Sequence, residues 1–198
     1  MSHVMKCAAA FVVVCLLAAC SMGSDLGGDE RGLLLTEQDF RDFGVTLTLA
    51  RPGRFHKTMT YAGQGVELSY EQSGAGDFYL INSFNRHFTA QSSLGDATGW
   101  ELGFALGRQL SELERTPIEL THRYGEGARL YLLTIHGRPV GNMFSFWDGR
   151  KTYMALFTGV YFQDPDLFDA FIRDKVARMQ AYEPPSVLAY LHDLTGSE

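Results

Sequence analysis

The sequence predicts an α+β domain with a mainly antiparallel sheet and helices packed on both faces of that sheet. Eight short segments have the composition of strands and are separated by turn-forming residues. Two long segments carry apolar residues at helical spacing. Both faces of the hairpin predicted at Asp148-Gly149 are apolar, whereas an antiparallel sheet with one solvated face alternates apolar with polar residues. Helices on both faces would cover such a sheet.

The first half of the domain is predicted to hold one short helix and four strands. Thr36 and Asp39 have the spacing of a capping box, which marks the start of a helix at TEQDFRDF. A hairpin turn is expected at 72–77 (QSGAGD), where glycine, serine and aspartate cluster. The strands are predicted over 45–50, 54–61, 66–71 and 78–85.

A long helix is predicted over 98–113. Thr98 and Glu101 open it with capping-box spacing. Its apolar stripe consists of Leu102, Leu106, Leu110 and Leu113. Gly103 and Gly107 lie beside that stripe, although each glycine costs about 1 kcal/mol relative to alanine inside a helix. Their position indicates that this helix packs closely on a sheet.

The second half of the domain begins with four strands, predicted over 118–124, 128–136, 140–147 and 151–162. The Asp-Gly pair at 148–149 is a strong hairpin signal. A turn centred on it would pair Phe144 with Tyr153, Met143 with Met154, and Val140 with Phe157. One face of the hairpin then carries Val140, Phe144, Tyr153 and Phe157. The other face carries Met143, Met154, Leu156 and Val160.

A second long helix is predicted to start at Asp164-Pro165, because aspartate is a good N-cap and proline suits the first helical turn. Glu183-Pro184-Pro185 should end it. Its apolar face consists of Leu167, Phe168, Phe171, Ile172, Val176 and Met179. A last short helix is expected from Ser186.

The first twenty residues have the pattern of an export signal. A lysine, Lys6, precedes an apolar run at 7–19, which is too short to cross a bilayer as a helix and is typical of a secretory signal peptide. The run ends in Leu17-Ala18-Ala19-Cys20, which resembles the lipobox of bacterial lipoproteins. That resemblance implies that residues 1–19 are removed and that Cys20 becomes acylated. Residues 20–32, rich in glycine, serine and acids, read as a flexible tether, which leaves 33–198 as a single globular domain.

The lipoprotein resemblance also implies a location in the cell envelope. In Gram-negative lipoproteins an aspartate after the acylated cysteine retains the protein in the inner membrane; Ser21 stands there in this chain, which implies the outer membrane, facing the periplasm. Removing Lys6 from 17 basic residues leaves 16 against 23 acids, a net charge of −7. Without a basic cluster, the mature chain is a poor candidate for nucleic-acid binding or for electrostatic docking on anionic lipid. The acyl chains would therefore hold it at the membrane.

The element order over about residues 44–180 resembles the PsbP-like fold, which the bacterial DcrB-like lipoproteins are thought to share. The local counterpart is the turn Ile135-His136-Gly137-Arg138-Pro139-Val140 before the Asp-Gly hairpin. The resemblance implies a PsbP-like sandwich and carries no catalytic motif. A rival resemblance links HGRPVG to acetyltransferases of the GNAT type. Their phosphate-binding loop is glycine-rich, but 162–166 (FQDPD) holds two acids and no glycine, which would repel a phosphate.

No motif predicts catalysis, a metal site or a cofactor. The five histidines of the mature chain lack metal-ligand spacing, and no G-x-S-x-G, S-x-x-K or P-loop sequence is present. The candidate ligand site is an aromatic-lined pocket on the sheet with one polar anchor, formed by Asn142, Phe144, Tyr153 and Phe157. The alternative is that these residues are plain core, with Asn142 hydrogen-bonded to backbone or water near a bulge.

These observations favour a non-catalytic, membrane-anchored periplasmic lipoprotein that binds another envelope protein or a small apolar ligand. An immunity or inhibitor lipoprotein that neutralises a periplasmic toxin or enzyme would have the same small size, anchor and acidity. An enzyme of unrecognised type is a third hypothesis. It would require a deep pocket in which several titratable groups converge.

Overall fold

The computed structural model describes residues 26–47, 53–60, 65–73, 78–87, 89–91, 93 and 112–184. The predicted signal peptide at 1–19 and Cys20 lie outside these residues. So do the short helix expected from Ser186 and all but the end of the helix predicted over 98–113.

Seven antiparallel strands form one sheet in the described part of the chain. They are β1 (Arg54–Thr60), β2 (Gly65–Ser73), β3 (Tyr79–Arg86), β4 (Leu113–Ile118), β5 (Gly127–Ile135), β6 (Arg138–Asp148) and β7 (Lys151–Thr158). Their order across the sheet is β1-β2-β3-β7-β6-β5-β4. With the helices described below, this confirms an α+β fold in which the sheet is antiparallel.

Strand β4 is placed differently from the prediction, and its first residue, Leu113, falls at the end of the preceding helix in that prediction. The prediction put a strand at 118–124, whereas β4 covers Leu113–Ile118 and residues 119–126 connect it to β5. The segment contains Pro117, and proline cannot donate a ladder hydrogen bond, so it is confined mainly to edge strands. β4 is one of the two edge strands of the described sheet, which explains why a proline is tolerated there. Residues 45–47 of the strand predicted over 45–50 also lie outside any strand.

The hairpin between β6 and β7 forms as predicted, but its register differs by two residues. Asp148 pairs with Lys151, and Tyr153 therefore lies opposite Phe146 instead of Phe144. The turn consists of Gly149 and Arg150, with Gly149 at a φ of 56°; glycine at the first central position is typical of a type II′ turn. A shift by two residues keeps each side chain on its predicted face.

Two valines are exceptions to those predicted faces. Leu133 pairs with Gly141 and Thr134 with Pro139, so Val140 has no opposite residue on β5. This bulge turns Val140 toward the cluster of Leu133, Met143 and Met154 on the other face. Val160 lies beyond the end of β7 and packs against the main core instead.

Three helices are described, namely α1 (Gly28–Arg31), α2 (Glu37–Asp42) and α3 (Pro165–Ala181). The predicted start signals are confirmed for two of them. Asp39 accepts a hydrogen bond from the Thr36 backbone N–H at 2.7 Å, and Asp164 accepts one from the Asp166 N–H at 2.9 Å. On α3, the buried residues include Phe168, Ile172, Val176 and Met179 as predicted, whereas Leu167 is 54% exposed.

The main core lies between one face of the sheet and the helices. It combines α2 and α3 side chains with alternate residues of β2, β3, β5, β6 and β7, and its largest fully buried members include Phe40, Phe84, Phe144, Phe146, Tyr153, Phe157 and Phe168. The second face carries the smaller buried cluster of Leu133, Met143 and Met154. Both faces of the central strands are therefore apolar, as the hairpin pattern predicts.

Residues 26–32, which composition assigns to the tether, are part of the folded domain. Leu26 is buried, and Glu30 accepts hydrogen bonds from Lys57 at 2.7 Å and from the Tyr182 hydroxyl at 2.9 Å. Burial alone would raise the pKa of Glu30, but the bonds from Lys57, the Gly27 N–H and Tyr182 outweigh it and hold that pKa below its usual value. The domain therefore begins at or before Leu26, because this buried ion pair joins α1 to β1 and to the end of α3.

Candidate functional site

The four residues of the predicted aromatic site lie together in the closed core. Asn142 is directly opposite Phe157, and none of Asn142, Phe144, Tyr153 and Phe157 is more than 2% exposed. The ring of Phe168 on α3 lies 5.1 Å from that of Phe144. These side chains present no open surface to a ligand.

The side chain of Asn142 forms hydrogen bonds with the backbone of the segment that follows β7. Its Oδ1 accepts from the Phe162 N–H at 2.6 Å, and its Nδ2 donates to the Phe162 carbonyl at 2.9 Å and to the Tyr131 carbonyl at 3.2 Å. A buried amide with these partners has satisfied its polar atoms within the fold. The structure thus favours the core interpretation of this group.

A different polar cluster is built where α3 meets the loop between β4 and β5. Asp169 lies in the second turn of α3 and is 1% exposed. Its carboxylate accepts hydrogen bonds from the Tyr124 hydroxyl and the Arg173 guanidinium, and it lies 3.1 Å from Nδ1 of His122. The hydroxyl of Thr121 donates to Asp166 at 2.8 Å. The β4–β5 loop is thereby attached to the first turns of α3.

The electrostatics of this cluster keep Asp169 ionised. Burial would raise its pKa, but the hydrogen bonds from Tyr124 and Arg173, together with the Arg173 charge, outweigh burial, so the pKa lies below its usual value. Burial and the hydrogen bond to Asp169 both raise the pKa of Tyr124. Tyr124 therefore remains a neutral donor to a charged acceptor, which is a strong type of hydrogen bond.

A cavity of about 430 Å³ opens beside this cluster and is here called the β4–β5 pocket. Its walls are mainly apolar or aromatic, and its polar side chains are His122, Arg123, Arg129 and Glu119. The full lining is Pro117, Ile118, Glu119, Leu120, His122, Arg123, Tyr124, Ala128, Arg129, Leu130 and Tyr131. Such a mixture of apolar walls and a few polar groups is typical of small-molecule sites.

The pocket offers side chains for acid–base chemistry and side chains for binding. An Asp–His pair can act as a general base, but no serine, threonine or cysteine lines this pocket to serve as a nucleophile. The described residues contain no group of three or more His, Cys, Asp or Glu side chains placed to hold a metal ion. The guanidinium groups of Arg123 and Arg129 suit recognition of an anionic group.

The sequence pattern did not predict this site, because its members are far apart in the chain. Tyr124 and Asp169 are separated by 45 residues, and no spacing motif joins them. One signal was available: Asp169 falls between Phe168 and Ile172 on the buried side of α3. A carboxylate at a core position is almost never left unpaired, so it required partners from another element.

A second groove, of about 730 Å³, lies near the β5–β6 turn. It is lined by Glu112, Leu113, Ile135, Pro139, Val140, Thr158, Gly159 and Tyr161. Ile135 and Tyr161 are 38% and 49% exposed. Glu112 is the one charged side chain of its lining, and His136 holds it in an ion pair at 2.8 Å. This groove therefore lacks the convergent cationic groups of the β4–β5 pocket.

Comparisons with known proteins leave the chain without an assigned family. No family model matches it, and neither a curated protein nor a solved structure is detectably similar. Within the described residues, no helix is both long and apolar enough to cross a bilayer.

Asp169→Asn should lower stability at neutral pH by about 1–3 kcal/mol, since it weakens charge-assisted hydrogen bonds at a buried position. The folded-state pKa of Asp169 is depressed, so its contribution is complete above the unfolded pKa of about 4 and is lost as the pH falls through the lower folded value. The gap between wild type and variant in urea unfolding should therefore narrow as the pH falls below about 5 and through the lower folded-state pKa. Asp174→Asn, at an exposed position on the same helix, is the control with little effect. A gap that stays constant down to pH 2 would refute this assignment.

Proposed function

We propose that this protein is a non-catalytic lipoprotein of the cell envelope, anchored through acylated Cys20 and binding a small ligand or another envelope protein. The support for the anchor is the apolar run that ends in Leu17-Ala18-Ala19-Cys20. Ser21 after that cysteine favours the outer membrane, with the domain facing the periplasm.

The observation that carries this proposal is the docking of Leu26. Leu26 is buried in the domain, and it follows Cys20 by six residues. Six residues of fully extended chain reach at most about 21 Å. An acylated Cys20 would thus hold the domain close to the bilayer surface, so its partner or ligand must be met there.

Binding is favoured over catalysis by the construction of the β4–β5 pocket. Its loop is fixed to α3 through Asp166 and Asp169, and its lining combines apolar walls with the guanidinium groups of Arg123 and Arg129. A fixed, mixed lining serves recognition, because little ordering is required when the ligand binds.

The proposed architecture is a PsbP-like sandwich, in which the helix predicted over 98–113 covers the second face of the sheet. Two contacts support this path. Ser93 donates to the Gly149 carbonyl at 2.6 Å, whereas Glu112 pairs with His136 at 2.8 Å. These contacts lie at opposite ends of β6, and the predicted helix lies between them in the sequence. Gly103 and Gly107 would then allow close approach to the sheet.

Cys20→Ser should abolish the incorporation of radioactive palmitate, since the acyl acceptor is removed, and should leave the precursor unprocessed or the protein released from membranes. Cys15→Ser is the matched control: it removes another thiol from the apolar run but should not reduce labelling. Labelling is measured on protein recovered from membranes by gel electrophoresis. Equal labelling of Cys20→Ser and wild type would overturn the proposed anchor.

A further inference from the structure

We infer that the β4–β5 pocket binds a small organic acid, a molecule with an apolar body and one anionic group. This inference rests on the proposed binding function and deepens it by naming the class of ligand. The ligand proposed here is not purely apolar, because the β4–β5 pocket contains charged side chains. The aromatic face around Asn142, where an apolar ligand was expected, is closed. Its three supports are the charge of the lining, the character of the walls and the fixed loop.

The charge of the pocket differs in sign from that of the chain. The chain carries a net charge of −6, yet the pocket lining contains the two guanidinium groups of Arg123 and Arg129 against the single acid Glu119. The nearby Asp169 is almost fully buried and its charge is matched by Arg173. His122 lies 3.1 Å from the same carboxylate, so it is not counted among the cationic groups of the pocket. A cationic recess on an acidic protein concentrates anions locally.

Arg123 is the side chain we assign to the anionic group. It is exposed in the middle of the loop, between His122 and Tyr124. Within the described part of the chain, no carboxylate forms an ion pair with it. Arg129, by contrast, lies 5.4 Å over the ring of Trp147. A guanidinium presents a planar fork of donors that fits a carboxylate in a bidentate manner.

The walls of the pocket would bury the apolar body of the ligand. Ile118, Leu120, Tyr124, Leu130 and Tyr131 contribute aliphatic and aromatic surface. A volume of about 430 Å³ falls within the range of small-molecule sites. An inorganic anion alone would leave this apolar surface unused.

The loop that carries Arg123 is already held in place. Thr121 and Tyr124 donate to Asp166 and Asp169, and the Glu126 N–H donates to the Trp147 carbonyl at 3.0 Å. His122 lies 3.1 Å from Asp169. Little conformational freedom of the backbone is therefore lost on binding, which favours affinity.

The test compares an acid with its neutral analogue. Calorimetric titration of the lipidated protein in phosphatidylcholine nanodiscs, with empty nanodiscs as the blank, should show 4-phenylbutyrate binding about tenfold more tightly than 4-phenylbutan-1-ol. Arg123→Gln should weaken the acid by about tenfold and leave the alcohol nearly unchanged. Arg138→Gln removes an exposed arginine at the opposite end of the sheet and should change neither affinity.

Three outcomes would overturn the inference: no binding of the acid, equal affinities for acid and alcohol, or an acid affinity that Arg123→Gln does not change. Inorganic phosphate should not compete at equal concentration, and effective competition would show a site for an anion alone. Because palmitate labelling reports the anchor separately, a labelled protein that binds no acid refutes only this inference. An unlabelled protein that binds the acid when it is titrated without nanodiscs refutes only the anchor.

Discussion

Tyr153→Ala should destabilise the domain by about 3–5 kcal/mol, the cost of removing a large aromatic side chain from a packed core. Tyr153 is 2% exposed, and its ring lies 6.0 Å from Phe146 and 6.2 Å from Phe144. Its hydroxyl donates to Asn82 at 3.3 Å. The variant would lose its two ring contacts with β6 and leave a cavity in the core.

Urea unfolding of wild type and Tyr153→Ala measures this loss directly. Tyr161→Ala is the matched control, because Tyr161 is 49% exposed and surface substitutions usually change stability by less than about 0.5 kcal/mol. A Tyr153→Ala protein with an unchanged midpoint would contradict the core assignment. It would also restore the aromatic face around Asn142 and Phe157 as a candidate ligand site.

Gly141→Ala should cost about 3 kcal/mol or more, because the added methyl group would meet backbone that cannot move aside cheaply. A Cβ at Gly141 would lie 1.9 Å from the Phe157 carbonyl oxygen and 2.9 Å from Cα of Thr158. Gly141 pairs with Thr158 across the β6–β7 ladder. Relief of the clash would therefore separate the two central strands.

The control for this substitution is Gly28→Ala. A Cβ at Gly28 has no atom within 4 Å, and Gly28 lies in α1, where alanine is favoured over glycine. Thermal unfolding should therefore show a large loss for Gly141→Ala and no loss for Gly28→Ala. Similar melting temperatures for Gly141→Ala and wild type would show that the β6–β7 contact is looser than described.

Elements that depend on interactions between residues close in sequence were predicted more accurately than those that depend on distant residues. Helix α3 was predicted at its correct start, because Asp164 and Pro165 act on the turn that follows them. The β6–β7 hairpin was predicted, but its register differed by two residues. The turn could be placed on either of two adjacent pairs that contain Gly149, and pairing along the whole hairpin decided between them.

The candidate site could not be predicted, because it depends on contacts between distant residues. Asn142 was correctly singled out as a buried amide that needs partners, yet those partners are the backbone of Phe162, 20 residues away. Because these backbone groups satisfy the Asn142 amide, Asn142 stabilises the core and does not bind a ligand. The cluster around Asp169 joins α3 to a loop 45 residues earlier in the chain. The sequence analysis predicted a strand at 118–124, so it did not predict a loop there.

The sequence by itself determined the α+β class, most of the strands, the start of α3 and the apolar character of both sheet faces. These properties depend on composition and on periodicity within one segment, which a single sequence records. Only the tertiary structure decided that the aromatic face is closed, that residues 26–32 belong to the domain, and that the β4–β5 pocket carries cationic groups. Each of these depends on which remote side chain fills a space or pairs a charge, as Glu30 does with Lys57, and such a pairing exists only when the chain is packed.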